Sequence, residues 1–254
     1  MQTQSLATGF AATLLGVGVI LSAAIPAQAQ YGFINLAEGW RCEGRFQGTT
    51  GNGLCVQKTA TPGAAYQYYR GDVQNGTFTG NGVLVYANDD RYEGQMRNGR
   101  PNGRGTFIEV GANRRYQGDF RNGEFHGQGT YTFGDGTRYV GQFGGGQPHG
   151  IGTFTFLNNG QVAYTYSGQF YLGIINGRGT VTSANGVRCT GTFYSNALVG
   201  KGTCTYPRGS AFRTYTGELK NGLPDGRGTV VYNNGRQYTG EFRNGAPGLS
   251  TTGS

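Results

Sequence analysis

From Tyr69 to Phe242, apolar and polar residues alternate in short runs on a recurring frame. Residues 92–107 read YEGQMRNGRPNGRGTF, and residues 116–131 read YQGDFRNGEFHGQGTY. Numbered from its first residue, a copy holds Gly at position 3, an apolar residue at 5, Gly at 12 and 14, and an apolar, often aromatic, residue at 16. A side-chain period of two puts positions 1, 3 and 5 on one side of a strand, and 12, 14 and 16 on one side of a second. The frame begins at Cys42, Tyr69, Tyr92, Tyr116, Tyr139, Tyr166, Cys189, Tyr215 and Tyr238, in steps of 23 to 27 residues. Such a period identifies a repeat array before any local assignment. Extra residues fall between one copy's Gly-x-Gly unit and the next copy's start, which makes that segment a tolerant turn.

Folding each copy into a hairpin whose paired positions sum to 17 sets 1 opposite 16, 3 opposite 14 and 5 opposite 12. In the fourth copy Tyr116 then meets Tyr131, Gly118 meets Gly129 and Phe120 meets Gly127. Each ring neighbours bare main chain, the arrangement in which an aromatic covers glycine. The predicted fold is all-β, a single-layer twisted antiparallel sheet of consecutive β-hairpins whose core is made of its own side chains. The opposite side is polar: position 4 is mostly acid or amide, and position 13 is often basic. The frame predicts these as cross-strand pairs, with Glu218 opposite Arg227 as the clearest.

The cysteines fall on the same frame. Cys189 and Cys204 are positions 1 and 16 of one copy. The first copy is two residues shorter, which preserves side-chain parity and sets Cys42 against Cys55. Directly opposed strand positions suit a disulfide. Of the three connectivities open to four cysteines, the register selects Cys42–Cys55 and Cys189–Cys204. The shortened first copy leaves Gly48-Thr49 as its tip, the chemistry of a type II′ turn. No C-x-x-C unit exists, which disfavours zinc.

Composition sharpens this picture. The 50 glycines would suggest disorder, but an aromatic content of 13% opposes it, and only 13% charged residues opposes long amphipathic helices. The net charge of +8 lies wholly beyond residue 30 and weakly favours acidic partners. The first thirty residues differ in kind. The apolar run Gly9–Ile25 is followed by Pro26-Ala27-Gln28-Ala29, the form of a secretory signal cleaved after Ala29. A retained anchor is the alternative. Residues 30–254 would then be an exported chain of the periplasm, cell envelope or exterior, where disulfides persist.

The frame Tyr-x-Gly-x-Phe-x-Asn-Gly followed by Gly-x-Gly-Thr-Phe resembles the MORN repeat. The resemblance spans about residues 40–245: a degenerate first copy, seven full copies starting between 69 and 215, and a truncated ninth from Tyr238 to Gly245. It implies a long sheet of successive hairpins that acts as a scaffold or as a protein- or membrane-binding module. In that family the repeats are often joined to a catalytic domain, and none lies within residues 30–254. The paired cysteines and the leader depart from the better-known intracellular members.

Chemistry is sparse in the sequence. His126 and His149 both hold position 11. They suggest either a metal or proton-relay ladder or a turn position, since Asn, Asp and His tolerate positive φ. Basic residues recur at position 6 (Arg97, Arg121, Lys220, Arg243) and at position 13 (Arg104, Arg178, Lys201, Arg227). They are candidate contacts for anionic lipid or glycan, or simply a solvated face. Export disfavours nucleic acid. No nucleophile, acid–base pair, metal set or cofactor motif stands apart from the periodicity, so no catalytic, metal or cofactor residue is assigned. The last strand, Gln237–Arg243, lacks its return strand and is a candidate edge for pairing with another chain. The reading is a non-enzymatic, exported scaffold that binds an unidentified protein partner, with peripheral binding of anionic lipid or glycan as the alternative.

Overall fold

The structure, a computed structural model, describes residues 28–57 and 66–248. All but the last two residues of the expected leader lie outside these. Nineteen strands succeed one another in the described chain. The first five are β1 (Gln30–Asn35), β2 (Trp40–Gln47), β3 (Thr50–Gln57), β4 (Tyr66–Gln74) and β5 (Thr77–Tyr86). The middle of the array is β6 (Arg91–Arg97), β7 (Arg100–Glu109), β8 (Arg114–Arg121), β9 (Glu124–Thr132), β10 (Arg138–Gly144), β11 (Gln147–Asn158), β12 (Gln161–Tyr171) and β13 (Ile174–Ser183). It closes with β14 (Arg188–Phe193), β15 (Gly200–Thr205), β16 (Phe212–Lys220), β17 (Leu223–Tyr232), β18 (Gln237–Arg243) and β19 (Ala246–Pro247). Each strand pairs antiparallel with its sequence neighbours, giving one open sheet. A single 3-10 turn, Ala37–Gly39, joins β1 to β2.

One face of this sheet buries its rings without a second layer. The tyrosines at position 1 (Tyr69, Tyr92, Tyr116, Tyr139, Tyr166 and Tyr215) are each 0% exposed. Below each ring lies the glycine at position 14 of the same copy. A Cβ built on Gly129 would sit 2.5 Å from Tyr116 Cε2. Above lies the residue at position 10: Phe125 stacks on Tyr116 at 3.9 Å, and Phe78 stacks on Tyr69 at 3.9 Å. The position-5 ring of the following copy closes the side, as Phe143 does against Tyr116 at 4.9 Å. Edge-to-face and stacked rings at these distances attract beyond their area burial. Each copy thus completes the core of its neighbour, the nearest-neighbour coupling of a solenoid.

The predicted register holds at the base of every hairpin and changes toward the tip in those that begin with Tyr. Tyr116 faces Tyr131 and Gly118 faces Gly129, but Asp119 then faces His126 and Phe120 faces Phe125, not Gly127. Gly127 and Gln128 bulge out of this pairing and face Phe143 and Gln142 of the next copy instead. Two groups set the bulge. The Tyr116 hydroxyl donates to the Asp119 carbonyl at 2.8 Å, and the Asp119 carboxylate accepts the freed Gln128 N–H at 3.0 Å. Gln95, Gln142, Gln169 and Glu218 take the same N–H bond in their own copies. Position 4 is therefore an acceptor because the bulge frees a donor that must be paired.

The tip follows from the same shift. Asn122 (φ +53) and Gly123 (φ +92) form a two-residue turn with positive φ at both positions, the type I′ geometry that Asn-Gly favours. The two copies that begin with Cys have no phenol and no bulge. There Phe46 faces Gly51 and Phe193 faces Gly200, as the sequence frame predicts. Their position-4 residues, Arg45 and Thr192, lack the carboxylate or amide of the other copies. In the first copy Gly51 and Asn52 face Val73 and Asp72 of the next copy, as Gly127 and Gln128 face Phe143 and Gln142, and the two missing residues come out of the tip. Its tip has positive φ at Gly48 but not at Thr49, in keeping with the II′ assignment.

Both predicted cysteine pairs are joined, Cys42 to Cys55 and Cys189 to Cys204, each with Cα atoms 3.9 Å apart. They take the place of the buried Tyr at position 1 and clip the hairpin directly. Replacing Cys189 and Cys204 together by Ala is expected to destabilise the chain by about 3 kcal/mol, from the loop of 15 residues they close. The urea unfolding midpoint reads this. A midpoint unchanged from the oxidised parent would refute it.

Candidate interaction surface

The hairpin tips form one long margin of the ribbon. Each tip is tied to the one before it: Gly123 N–H donates to the Pro101 carbonyl at 2.8 Å, Gly146 N–H to Phe125 at 3.1 Å, and Gly173 N–H to Pro148 at 2.9 Å. Side chains at position 6 and at the turn therefore stand in a row. Arg97, Arg121, Lys220 and Arg243 occupy this margin, all exposed and in no ion pair among the described residues.

The position-13 bases behave differently. Arg227 does not face Glu218; it lies on β17 opposite Glu241 of β18, with Nε 3.2 Å from the carboxylate. Glu218 faces Lys201, 3.6 Å away, and Arg104 approaches Asp119 at 3.8 Å. The bulge leaves Arg104 and Arg227 facing position 4 of the next copy alone, and Lys201, in a copy without a bulge, faces Glu218 as well as Thr192, so these pairs stitch neighbouring copies. As exposed pairs each contributes about 0–1 kcal/mol. Arg178 faces Thr192 and is exposed without an acidic partner among the described residues. Of the eight bases, the structure thus groups the four at position 6 on one margin and neutralises three of the others.

The tip margin changes character in the sixth and seventh copies. Where three other tips carry Arg-Asn-Gly, at 97–99, 121–123 and 243–245, the sixth reads Tyr171-Leu172-Gly173. Tyr171 is 56% exposed, Leu172 54% and Ile174 47%, while Tyr194 of the seventh copy is 64% exposed. Leu172 holds φ +47, a conformation suited to Gly or Asn and costly for a branched side chain. His149 belongs to this patch, its ring 5.4 Å from that of Tyr171. An exposed aromatic and aliphatic cluster between basic flanks has the composition of a protein-binding surface.

Neither histidine occupies a turn with positive φ. His126 lies on β9 and His149 on β11, and the residue with positive φ is the glycine that follows, Gly127 or Gly150. Among the described residues no three His, Cys, Asp or Glu side chains cluster to hold a metal. No described helix is long and apolar enough to cross a membrane.

Two further features escaped the sequence frame. Arginine precedes position 1 at Arg41, Arg91, Arg115, Arg138 and Arg188 and is exposed on the outer face. Its signal, Arg immediately before Tyr or Cys, was present but lay one residue outside the frame. A ladder of hydroxyls also crosses the outer face, with Thr153 facing Ser167 at 2.8 Å, Thr180 facing Thr190 at 3.1 Å and Thr229 facing Thr239 at 2.8 Å. It follows from the residue between the glycine at 14 and the apolar residue at 16, which is Thr in most copies.

The MORN repeat profile matches residues 69–91, 92–108, 116–138, 139–161, 166–188, 189–211, 215–235 and 238–248. The chain belongs to the MORN-repeat family. Its first MORN-like copy, at Cys42–Gln57, falls outside the matched segments yet continues the same sheet through β2 and β3. Among curated proteins nothing matches the chain significantly in sequence. Among solved structures it is similar to the SAS-4 (dCPAP) TCP domain of Drosophila melanogaster, determined with a proline-rich motif of Ana2 (dSTIL). The match has 14% identity and a TM-score of 0.34, and covers 84% of this chain and 90% of that one. A MORN array of this form is a repeat scaffold and binding protein.

Proposed function

We propose that this MORN array is a non-enzymatic, exported platform that binds a protein partner through its tip margin. The reading is carried by the Tyr171–Leu172–Ile174–Tyr194 patch, where exposed rings replace the polar tip and Leu172 is held at φ +47. Tyr is, with Trp and Arg, among the residues enriched at binding hot spots. Export is supported by the leader at residues 1–29 and by two disulfides, which persist in oxidising compartments. The bases Arg97, Arg121, Lys220 and Arg243, in no ion pair among the described residues, favour the second reading, binding of anionic lipid or glycan.

One experiment separates the two. The purified chain is presented to the exported protein fraction of its own cells and, separately, to vesicles containing phosphatidylglycerol. Tyr171→Ser with Tyr194→Ser is expected to reduce capture of the same protein at least tenfold, while Arg97→Glu with Arg121→Glu leaves it unchanged. The opposite pattern, with vesicle binding that falls as salt rises, would replace the first reading by the second.

A further inference from the structure

The two edges of the described sheet carry complementary halves of a single repeat. At the N-terminal edge, β1 pairs with β2 so that Gly32 faces Gly44 and Ile34 faces Cys42. This is the register in which a return strand meets the next copy, as Gly129 faces Gly141 and Tyr131 faces Tyr139. By that register Gly32 takes position 14 and Ile34 position 16 of a copy that precedes the first. Every such glycine in a Tyr copy lies beneath its own copy's ring; a Cβ on Gly105 or Gly129 would sit 2.5 Å from the tyrosine. Around Gly32 an added Cβ would meet nothing within 4 Å. The slot for a ring is built and open.

At the C-terminal edge lies the opposite half, beyond which only the short β19 is described. β18 offers Tyr238, Gly240 and Phe242 as positions 1, 3 and 5. A Cβ on Gly118 would meet the Cα of Gly129 at 2.5 Å, whereas the three nearest atoms to one on Gly240 all belong to the Tyr238 side chain. β19 supplies the first residues of a return strand, with Pro247 facing Phe242, and the Tyr238 hydroxyl donates to the Gly248 carbonyl at 3.1 Å. In sequence, the residues that would be positions 12 and 14 are Leu249 and Thr251. Glycine is required at 14 because the ring at position 1 lies on it.

We infer that a second copy of this chain completes the ninth repeat: β1 of one molecule pairs antiparallel with β18 of another, head to tail. The pairing sets Ile34 opposite Tyr238 and Gly32 opposite Gly240, so the Tyr238 ring covers Gly32. The Glu241 carboxylate is then placed to accept the Tyr31 N–H, as the Glu218 carboxylate accepts the Arg227 N–H at 3.1 Å. Phe33, 59% exposed on β1 and already against the Arg41 guanidinium, comes to lie beside Thr239. β1 carries neither charge nor proline, the usual devices that keep an edge strand from pairing. Because the contact joins two different surfaces and extends the sheet along its own axis, it propagates as an open series rather than closing as a dimer.

All nineteen described strands lie within residues 30–254, so the chain produced with Gln30 first carries the whole described sheet. The inference rests on the export reading only in that leader removal frees β1. The intact mass of the exported protein tests that step separately. Sedimentation of the oxidised chain should show dimers, trimers and longer species that grow with concentration. Gly32→Val fills the slot with a side chain whose Cβ meets nothing within 4 Å in the single molecule, and Tyr238→Ala removes the ring. Each variant should sediment as a monomer with an unchanged circular dichroism spectrum. Mixed in equal amounts they should give dimers and nothing longer, since only one intact edge of each can meet the other. A parent that stays monomeric at its highest soluble concentration, a Gly32→Val chain that still polymerises, or a mixture that remains monomeric would each overturn the inference.

Discussion

Gly129→Ala is expected to destabilise the centre of the sheet by about 3–5 kcal/mol, the range for overpacking that expels a buried aromatic. The methyl would lie 2.5 Å from Cε2 and the hydroxyl of Tyr116 and 2.7 Å from Cζ. The ring cannot retreat. Phe125 stacks on its far face at 3.9 Å, Phe120 and Phe143 hold its edges at 5.1 and 4.9 Å, and it is 0% exposed. Separating β8 from β9 instead would break the pairing of Gly118 with Gly129 and pull the Tyr116 hydroxyl from the His126 carbonyl. The usual gain of about 0.4–1 kcal/mol from replacing glycine is smaller than any of these costs. Gly111→Ala is the control, because a Cβ there meets nothing within 4 Å. It should leave stability unchanged or raise it by up to about 1 kcal/mol. Urea unfolding and hydrogen exchange of β8 to β10 report the difference. The effect should be partly relieved in a Gly129→Ala, Tyr116→Ala double variant, since contacting residues couple. If Gly129→Ala unfolds like Gly111→Ala, ring-on-glycine packing is not what holds the copies together.

Much of this packing was legible in the residue pattern, and the part that was not has a definite physical reason. The face of every strand follows from parity, so the buried row of Tyr69, Tyr92 and Tyr116 and both cysteine pairs could be assigned from spacing alone. The bulge at Gly127 and Gln128 escaped because two inserted residues preserve parity. Pairings that sum to 17 or to 15 bury the same side chains. Only the tip residues distinguish them: Asn-Gly at positions 7 and 8 demands the tighter turn, and the acceptor at position 4 accompanies Tyr at position 1 and is missing from the Cys copies. The pairing of Arg227 with Glu241 in place of Glu218 follows from the same two residues. The tip patch was hidden for a different reason. A repeat frame directs attention to what recurs, whereas Tyr171, Leu172 and Tyr194 matter because they depart from it.

Above pH about 10 the sheet is expected to lose stability steeply, because its core tyrosines are held neutral. Burial, with a smaller contribution from Glu218 beside Tyr215, pushes the phenols of Tyr139 and Tyr215 up to about 12. Burial also raises Tyr69, Tyr92, Tyr116 and Tyr166. The hydroxyls of five of these donate to the main-chain carbonyl of position 4 at 2.6 to 2.9 Å, and that of Tyr166 does so at 3.2 Å. A phenolate has no proton to donate and would face that carbonyl with a buried charge. The folded values lie above the unfolded value of about 10, so the stabilisation is complete below pH 10 and is lost as pH rises through the folded values. Each tyrosine that unfolds contributes a slope of about 1.4 kcal/mol per pH unit. Because consecutive copies share their rings, several should be released together, giving a transition sharper than the titration of one phenol. Phenolate absorbance and the β-sheet circular dichroism signal should therefore change at one common midpoint above pH 10. The Tyr139→Phe chain, which loses a titrating group but keeps its ring, should show a shallower transition. Full phenolate formation with the circular dichroism spectrum intact would mean that the rings are reached by solvent and do not form the core.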